Sequence, residues 1–479
     1  MTGYTLWMLD PVVATFGAGF LRPKGRVYFD AAATSLMPRA VLTAQQKFYA
    51  TAYANPHTSA HSPGRNSTAM VEAARASVAE LFGLNTPSWA TLFVGSGSTA
   101  ALNRAAGAIY PLMAAQGRPL VVTTQLEHHS NLLPWRRAAG AAGLRIVPML
   151  PDGSLDLAAM EAILARDGKR VGVIACSWAS NVTGAVTNVD RVAALARKHG
   201  AALVMDAAQA SPHMQLVVPE GVSAVAISGH KLYAPGSPGV LMIRRGWLEQ
   251  HGVPVGDTGG GTVEEVNDLG VTFSKHGEAR EEAGTPNVGG ILGLGLVASI
   301  LGRIGMPRML AAEHEMTSYL LDRMETVPGI TVYGSRAPGG KPRLGVVAFN
   351  LRIPHGAVAA ALDAAGICVR NACFCAQPCV RAMLAPTFEK PQVAADFEKY
   401  DKIVPGKLGM VRVSLGPWNT RADVDALVKA LKWIAANKDG VCERCVVSGE
   451  GYVLDGEQCS RDRPCFTLED AVEGAAKSW

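Results

Sequence analysis

The chain has 479 residues, of which 48% are hydrophobic and 18% are charged, and its formal net charge is +5. This composition is typical of a soluble globular protein and excludes a disordered chain. The 45 basic residues form no long run, so nucleic acid is not an expected partner. The first twenty residues contain Asp10 and Pro11 and lack the basic start of a secretory signal, which predicts a cytoplasmic protein.

Between residues 90 and 245, short apolar runs alternate with helix-like segments. This alternation predicts an α/β fold with a mostly parallel seven-stranded sheet covered by helices. The predicted strands are 91–94, 120–123, 145–148, 171–175, 203–205, 222–227 and 239–243. The apolar stretch 288–301 is shorter than the roughly 20 residues that a membrane-crossing helix needs. We therefore expect a buried helix there and no membrane partner.

A helix around 290–327 is predicted to lead into a smaller α+β unit. Its predicted elements are strands at 330–333, 344–350 and 409–415 and helices at 356–365 and 421–437. We therefore expect two core-bearing domains, since the chain is longer than one usual domain. The predicted divisions are an N-terminal segment 1–25 that packs on the small domain, a large domain 26–290, a small C-terminal domain 291–437 and a cysteine-containing tail 438–479.

Two functional groups follow strands of the predicted sheet. Asp206 comes directly after the apolar run 201–205, and Lys231 follows the run 224–227. Ligands of open α/β sheets bind at the carboxyl ends of the strands. Pyridoxal phosphate needs a carboxylate beside its ring nitrogen and a lysine amine to hold its aldehyde. The pair predicts a pyridoxal phosphate site, although either residue alone is more often a helix cap or a solvated lysine.

Other strand ends offer partners for the same cofactor. The turn 95–99 opens a helix and includes Ser98 and Thr99, whose hydroxyls and backbone N–H groups suit a phosphate. The imidazole of His128 can stack on a flat ring or, as a catalytic group, shuttle a proton. The amides of Asn181 and Gln209 can each bond a phenolic oxygen. Each signal is weak alone, but all of them lie at successive strand ends of one sheet.

Over residues 26–435 the sequence resembles the fold-type I, class V pyridoxal phosphate enzymes, and among them the second-type cysteine desulfurases and selenocysteine lyases. The segments that carry the resemblance are Tyr28–Thr34, Ala54–His57, Glu127–His129, Asp206–Gln209, Ser228–Tyr233, Gly284–Asn287 and Arg412–Leu415. The resemblance implies a large domain that binds the cofactor, a smaller C-terminal domain, a homodimer and L-cysteine as substrate.

The resemblance also implies a role for each matching residue. Lys231 binds the cofactor aldehyde, Asp206 pairs with the ring nitrogen and Gln209 bonds the phenolic oxygen. The expected phosphate ligands are Ser98, Thr99, Ser228 and His230, together with Thr285 from the neighbouring subunit. His128 is the expected stacking ring, although His129 leaves a register of one residue open. Arg412 is expected to bind the substrate carboxylate, and Asn181 lies on the substrate side.

The segment 369–379 contains the expected nucleophile, Cys375. The resemblance implies that its thiolate attacks the sulfur of cysteine, leaving alanine and a persulfide for an acceptor. Arg370 is expected to lower the pKa of this thiol and to contact the substrate. The sequence Cys373-Phe374-Cys375, together with 259–262, is instead similar to molybdenum cofactor sulfurases, which leaves the acceptor open. Cys373 and Cys379 either relay sulfur, form a disulfide or are small buried side chains.

Alternatives remain at two places. The chain could be a related lyase or aminotransferase in which Cys375 is incidental, or a cofactor-binding scaffold without turnover. In the tail, the Cys-x-x-Cys pair and two later cysteines are compatible with zinc, although the second pair is spaced by five residues; redox-active or unpaired cysteines are the alternatives. The candidate zinc ligands are Cys442, Cys445, Cys459 and Cys465.

Overall fold

The computed structural model of the chain describes residues 10–57, 60–249, 256–275, 277–389, 409–448 and 451–454, together with Lys399 and Val472. The first part of the chain forms α1 (Pro11–Ala18), β1 (Val27–Tyr28), α2 (Arg39–Thr51), α3 (Ser62–Leu81), β2 (Trp89–Val94), α4 (Gly97–Ala115), β3 (Leu120–Thr124), α5 (His129–Gly143), β4 (Leu144–Val147), α6 (Leu157–Asp167), β5 (Val171–Ser177), α7 (Val189–His199), β6 (Ala202–Asp206), β7 (Val222–Ser228), β8 (Gly239–Arg244), β9 (Val263–Asn267), β10 (Gly270–Phe273) and α8 (Gly277–Glu281).

The second part forms α9 (Val288–Ile304), α10 (Met306–Glu325), β11 (Ile330–Val332), β12 (Val346–Leu351), α11 (His355–Ala364), β13 (Ile367–Cys368), β14 (Arg370–Ala372), α12 (Gln377–Phe388), β15 (Met410–Ser414), α13 (Arg421–Ala436), α14 (Lys438–Glu443), β16 (Cys445–Ser448) and β17 (Gly451–Leu454). Short 3-10 turns lie at Gly168–Arg170, Arg245–Trp247 and Pro338–Gly340.

Seven strands form the central sheet in the order β2-β8-β7-β6-β5-β3-β4. The pairs from β4 to β7 are parallel, whereas β8 runs antiparallel to both of its neighbours, β7 and β2. Every residue of β5, β6 and β7 is buried, as expected for parallel strands with helices on both faces. All seven predicted strands are present, which confirms the α/β fold.

Local sequence signals bring the functional strand ends to one edge of this sheet. Asn188 accepts a hydrogen bond from the backbone N–H of Arg191 at the start of α7, and Gly200 ends that helix with φ +60°. The chain then enters β6, which pairs in parallel with β5 so that Ser177 lies opposite Asp206. The carboxyl ends of β5, β6 and β7 therefore meet at the same edge, where ligands of such sheets bind.

The small domain has a four-stranded antiparallel sheet in the order β11-β12-β15-β14. Its core is formed by buried side chains of this sheet and of helices α10, α11 and α13. The sequence predicted β11, β12 and β15 but not β14, a strand of only three residues (Arg370–Ala372) that pairs with β15. It also did not predict α12 or the hairpin of β16 and β17.

The predicted helix at 290–327 is two helices instead of one. A bend of 81° separates α9 from α10, and Gly305 between them has φ +91°, a conformation that favours glycine. In the part of the chain that the structure describes, neither helix alone is long and apolar enough to cross a membrane, although the bent pair together meets that criterion by length and composition. Most residues of α9 are buried inside the protein.

Both ends of the described chain pack on the rest of the protein. The ring of Phe20 lies 5.0 Å from that of Trp418 and 5.5 Å from that of Tyr233, so the N-terminal segment contacts both domains. Strand β1 pairs in parallel with β13 of the small domain. At the other end, α14 and the β16–β17 hairpin contribute Val441 and Leu454 to the small-domain core.

Candidate active site

A cavity of about 320 Å³ lies at the carboxyl ends of the central strands, between the two domains. The large domain lines it with predicted residues from its strand ends and loops, namely Ser98, Thr99, His128, Asn181, Asp206, Gln209, Ser228, His230 and Lys231. The small domain contributes Arg370, Cys375 and Arg412. The structure therefore brings twelve predicted site residues together, although they are spread over more than 300 positions of the chain.

An acid and an amine share this cavity. Asp206 ends β6 and is 5% exposed, and its Oδ1 accepts a hydrogen bond of 3.0 Å from the N–H of Ala208. Burial raises the pKa of the Asp206 carboxyl, while that hydrogen bond and Lys231 act in the opposite direction. Removal from water lowers the pKa of Lys231 to about 8, against the opposing effect of Asp206. A lysine in this state has an appreciable neutral fraction near pH 7 and is a competent nucleophile and base.

The turn 95–99 at the start of α4, called the phosphate turn below, presents groups that suit a phosphate. Gly97 has φ +58°, and a Cβ there would lie 2.9 Å from the Oγ of Ser228, so any other residue would be strained. The backbone N–H of Ser98 donates to Ser228 Oγ at 2.8 Å, and the hydroxyl of Thr99 lies 2.6 Å from that of Ser130. Hydroxyl groups and the positive end of a helix dipole therefore surround one wall of the cavity.

The two adjacent histidines have different surroundings. His128 lines the cavity, and its Nδ1 accepts the N–H of Ser130 at 3.1 Å as it caps α5. Burial, with a smaller effect of Lys231, lowers the pKa of His128 to about 3, so its ring is neutral at pH 7. His129 is not among the residues that line this cavity, and its backbone N–H donates to the carbonyl of Cys375. The geometry favours His128 as the ring beside the cofactor.

Two buried polar atoms indicate which ligand groups the cavity accepts. Within the described residues, Gln209 Oε1 and Arg412 Nε have no hydrogen-bond partner. The other amide atom of Gln209 lies 3.2 Å from His213 Nε2, and rotation of the amide exchanges its donor and acceptor. An amide and a guanidinium suit a phenolic oxygen and a carboxylate. With Asp206, Lys231 and the phosphate turn, these residues fit pyridoxal phosphate and an amino acid.

Asp30 is a site residue that the sequence did not identify. It is 6% exposed, and it accepts a hydrogen bond of 2.6 Å from Arg370 and one of 3.4 Å from Arg412. Burial lowers the pKa of Arg412 to about 10, and Asp30 opposes this shift. Arg412 also donates to the carbonyl of Asn181 at 3.1 Å. Asp30 therefore fixes the orientation of both arginines. In the sequence, its position in the segment Tyr28–Thr34, which carries the family resemblance, was the signal that could have identified it as a site residue.

Cys375 lies on a loop with unusual backbone angles. Ala372, Phe374 and Cys375 all have positive φ, at +87°, +52° and +53°, which is uncommon for residues other than glycine. The large domain holds the loop through hydrogen bonds from Asn181 Nδ2 to the carbonyl of Phe374 at 2.9 Å and from His129 N–H to that of Cys375 at 2.7 Å. Cys375 itself is exposed and faces the cavity.

The neighbouring cysteines differ from Cys375 in exposure. Cys379 is completely buried, its sulfur lies 3.8 Å from that of Met149, and burial raises its pKa to about 12. Cys373 is partly exposed, and burial raises its pKa above the usual value. A raised pKa keeps a thiol protonated and unreactive. Cys379 therefore behaves as a small core side chain, whereas Cys373 remains accessible.

The tail cysteines that the structure describes belong to a hydrophobic core. Cys442 and Cys445 are 0% and 5% exposed, and burial raises their pKa values to about 12 and about 11. Zinc binds thiolates, which this environment disfavours. Cys459 and Cys465 lie outside the described residues, and among the residues described no group of three or more His, Cys, Asp or Glu could hold a metal ion. The predicted zinc site therefore has no support.

Thr285 does not line the main cavity. It lines a second pocket, whose walls include Ser96, Gly97 and His230 from the far side of the phosphate turn. Its hydroxyl lies 3.0 Å from Asn55 Oδ1. The expected role of Thr285 at the phosphate of a neighbouring subunit stays a prediction.

Comparisons with known proteins agree with this geometry. A family model described as aminotransferase class-V matches residues 27–427. A probable cysteine desulfurase from Halalkalibacterium halodurans is 34% identical over 85% of this chain and 92% of its own length. A cysteine desulfurase from Shigella sonnei is 32% identical over 85% of this chain and 93% of its own length.

Solved structures give the same result. The apo cysteine desulfurase from Thermococcus onnurineus superimposes with a TM-score of 0.72 at 30% identity, over 86% of this chain and 95% of that chain. The cysteine desulfurase CsdA from Escherichia coli, in an S-sulfonic acid form, gives a TM-score of 0.73 at 28% identity, over 88% and 98% of the two chains. Both similarities extend over the large and the small domain.

Proposed function

The chain belongs to the class-V aminotransferase family, and on this premise we propose that it is a pyridoxal-phosphate-dependent cysteine desulfurase. It converts L-cysteine to L-alanine and retains the sulfur as a persulfide on Cys375. The observation that carries the proposal is that Lys231, Arg412 and Cys375 line one cavity of about 320 Å³. Burial lowers the pKa of Lys231 to about 8 and that of Arg412 to about 10, so the cavity holds an amine that is partly neutral near pH 7 beside a guanidinium that stays charged.

Different residues of the chain would bind different parts of the cofactor. Asp206 would pair with the ring nitrogen of the cofactor, Gln209 would bond its phenolic oxygen, and His128 would stack on its ring. Ser98, Thr99, Ser228 and His230 would hold its phosphate. Bound pyridoxal phosphate supplies an electron-withdrawing ring that stabilises negative charge at the Cα of the substrate.

The remaining residues bind and convert the amino acid. Arg412, oriented by Asp30, binds the carboxylate of cysteine, and Asn181 contacts the substrate side of the cavity. The neutral amine of Lys231 accepts the Cα proton. The thiolate of Cys375 then attacks the substrate sulfur, so that an S–S bond forms as the C–S bond breaks. Alanine leaves after reprotonation, and the terminal sulfur of the persulfide passes to an acceptor.

Replacement of Cys375 tests this assignment directly. We expect Cys375→Ser to abolish persulfide formation from cysteine, because serine cannot accept sulfur, while the cofactor still binds. Mass spectrometry of the trapped persulfide measures the result, and Cys373→Ser is the matched control, expected to keep the persulfide on Cys375. Full turnover by Cys375→Ser would contradict the proposal and favour selenocysteine cleavage, another lyase reaction or an aminotransferase.

The proposal includes a homodimer in the cytoplasm, in which Thr285 of each subunit reaches the phosphate in the neighbouring site. The second pocket supports this arrangement, because it shares Ser96, Gly97 and His230 with the cavity. Sedimentation of the purified holoprotein measures the subunit number. If the protein sediments as a monomer with full activity, the shared site is wrong. Because the loop is also similar to that of molybdenum cofactor sulfurases, the proposal names no class of sulfur acceptor.

A further inference from the structure

The hairpin of β16 and β17 lies beyond the family match and packs on α11 of the small domain. The ring of Tyr452 in β17 meets that of His355 edge to face, with 5.9 Å between the centroids and an interplanar angle of 81°. A Cβ at Gly356 would lie 2.5 Å from the Tyr452 ring. The aromatic ring therefore occupies space at the start of α11 that only a glycine leaves open.

His355 connects this hairpin to β14. Its ring is 4% exposed, and its Nδ1 lies 3.1 Å from the Nδ2 of Asn371. Burial lowers the pKa of His355 to about 4, so the ring is neutral near pH 7 and Nδ1 can accept the amide hydrogen. A Cβ at Gly409 would lie 2.5 Å from the His355 ring. The imidazole is therefore packed between the tail hairpin, the backbone before β15 and the middle of β14.

Strand β14 has the cavity on one face and His355 on the other. Side chains alternate along a strand, so Arg370 and Asn371 point in opposite directions. Arg370 donates to Asp30 at the cavity, while Asn371 bonds His355. At the last residue of the strand, Ala372, φ is +87°, and the chain then enters the loop of Cys375. A displacement of β14 would therefore move the nucleophile loop.

We propose that Tyr452, His355 and Asn371 are positioning residues for Cys375. The tail hairpin braces β14 from behind and so fixes the start of the loop that carries the nucleophile. The role of the loop rests on the proposed function, whereas the bracing itself does not. Such residues affect the rate without touching the substrate, because a misplacement on the order of 1 Å can cost a large factor in rate.

The test uses Tyr452→Ala in the full-length holoprotein. We expect kcat for alanine formation to fall about tenfold with KM for cysteine unchanged, because Arg412 keeps its contacts. Hydrogen exchange of residues 370–377 is expected to rise several-fold, because the support of β14 is lost. Tyr452→Phe keeps the ring and should have the wild-type kcat and the wild-type hydrogen exchange of residues 370–377. The control is Val217→Ala in the large domain, a side chain that is 74% exposed, which should behave as wild type.

Unchanged exchange over 370–377 in Tyr452→Ala would overturn the inference, and so would a uniform rise over the whole small domain. If that variant does not fold, Asn371→Ala removes only the hydrogen bond to His355 and should give the same local rise and loss of kcat. Wild-type values in Asn371→Ala would also overturn it. A wild-type protein that makes no persulfide would refute the proposed function but leave the exchange result interpretable.

Discussion

The two walls of the cavity are built in different ways. The wall from the large domain consists of strand ends, where Asp206 and Gln209 are 5% and 4% exposed and fixed by the sheet. The opposite wall carries Cys375, which is exposed on a loop with three positive φ values and is held by hydrogen bonds from Asn181 and His129. The residues at the strand ends are therefore pre-organised by the fold, whereas the position of Cys375 depends on hydrogen bonds from the large domain to the backbone of its loop.

The sharpest test of the wall from the large domain is Lys231→Ala. We expect activity to fall by about 10⁴-fold or more, because both the covalent attachment of the cofactor and the transfer of the Cα proton are lost. Alanine production from cysteine measures the rate. Borohydride reduction of the wild-type holoprotein, followed by mass spectrometry, shows whether the cofactor is attached to Lys231. Lys169→Ala, an exposed lysine outside the cavity, is the control. Substantial activity in Lys231→Ala would mean that another amine holds the cofactor.

Arg412 of the small domain connects the two walls, because it donates a hydrogen bond to the carbonyl of Asn181 in the large domain. In Arg412→Lys we expect kcat/KM for cysteine to fall about 100-fold, because a lysine cannot bond Asp30, Asn181 and a carboxylate in one plane. Most of the loss should appear in KM. Arg370→Lys is the comparison, and its effect should be smaller because the Arg370 side chain is 50% exposed. Equal effects of the two substitutions would show that Arg412 is not the main carboxylate ligand.

The same contrast explains what could be predicted from the sequence. Asp206 and Lys231 follow apolar strands, so local patterns placed them at one sheet edge, and the seven strands were found in the same way. Asp30 was missed because its partners Arg370 and Arg412 are 340 and 382 positions away. Strand β14 is too short to show the alternation of apolar and polar residues that marks a strand, and it is stabilised by its pairing with β15. Contacts at such separations depend on packing and leave no local pattern.

A smaller effect is expected at the phosphate turn. Gly97→Ala places a Cβ 2.9 Å from Ser228 Oγ at a residue with φ +58°, which costs about 1–2 kcal/mol from the backbone alone. We therefore expect pyridoxal phosphate to bind about tenfold more weakly. Quenching of intrinsic fluorescence on titration of the apoprotein measures the affinity. Gly107→Ala in the same helix meets only ordinary contacts and should leave the affinity unchanged; equal weakening would refute the role of Gly97.

The rate of cofactor uptake should depend on pH through Lys231. Its lowered pKa of about 8 means that the amine is mostly protonated at pH 7 and mostly neutral above pH 8. Only the neutral amine attacks an aldehyde, so uptake by the apoprotein should rise with pH through about 8 and then level off. At pH 7 the rate should be about tenfold below the plateau. The visible absorption band of the bound cofactor reports the rate, and a profile that is flat from pH 7 to pH 9 would contradict the assignment.

The smallest effect is expected at Cys379, on the buried side of the wall that carries Cys375. Its thiol is fully buried beside Met149, and its pKa is raised to about 12. A protonated thiol without access to solvent cannot relay sulfur, so Cys379→Ala should form the Cys375 persulfide at the wild-type rate. Removal of one buried atom should lower the free energy of unfolding by only about 1 kcal/mol, as loss of a buried methyl group does. Denaturant unfolding and persulfide trapping on the same preparation separate the two effects. Loss of the persulfide with unchanged stability would show that Cys379 takes part in sulfur transfer. The loop that carries Cys375 would then have to move during turnover to expose the buried thiol of Cys379.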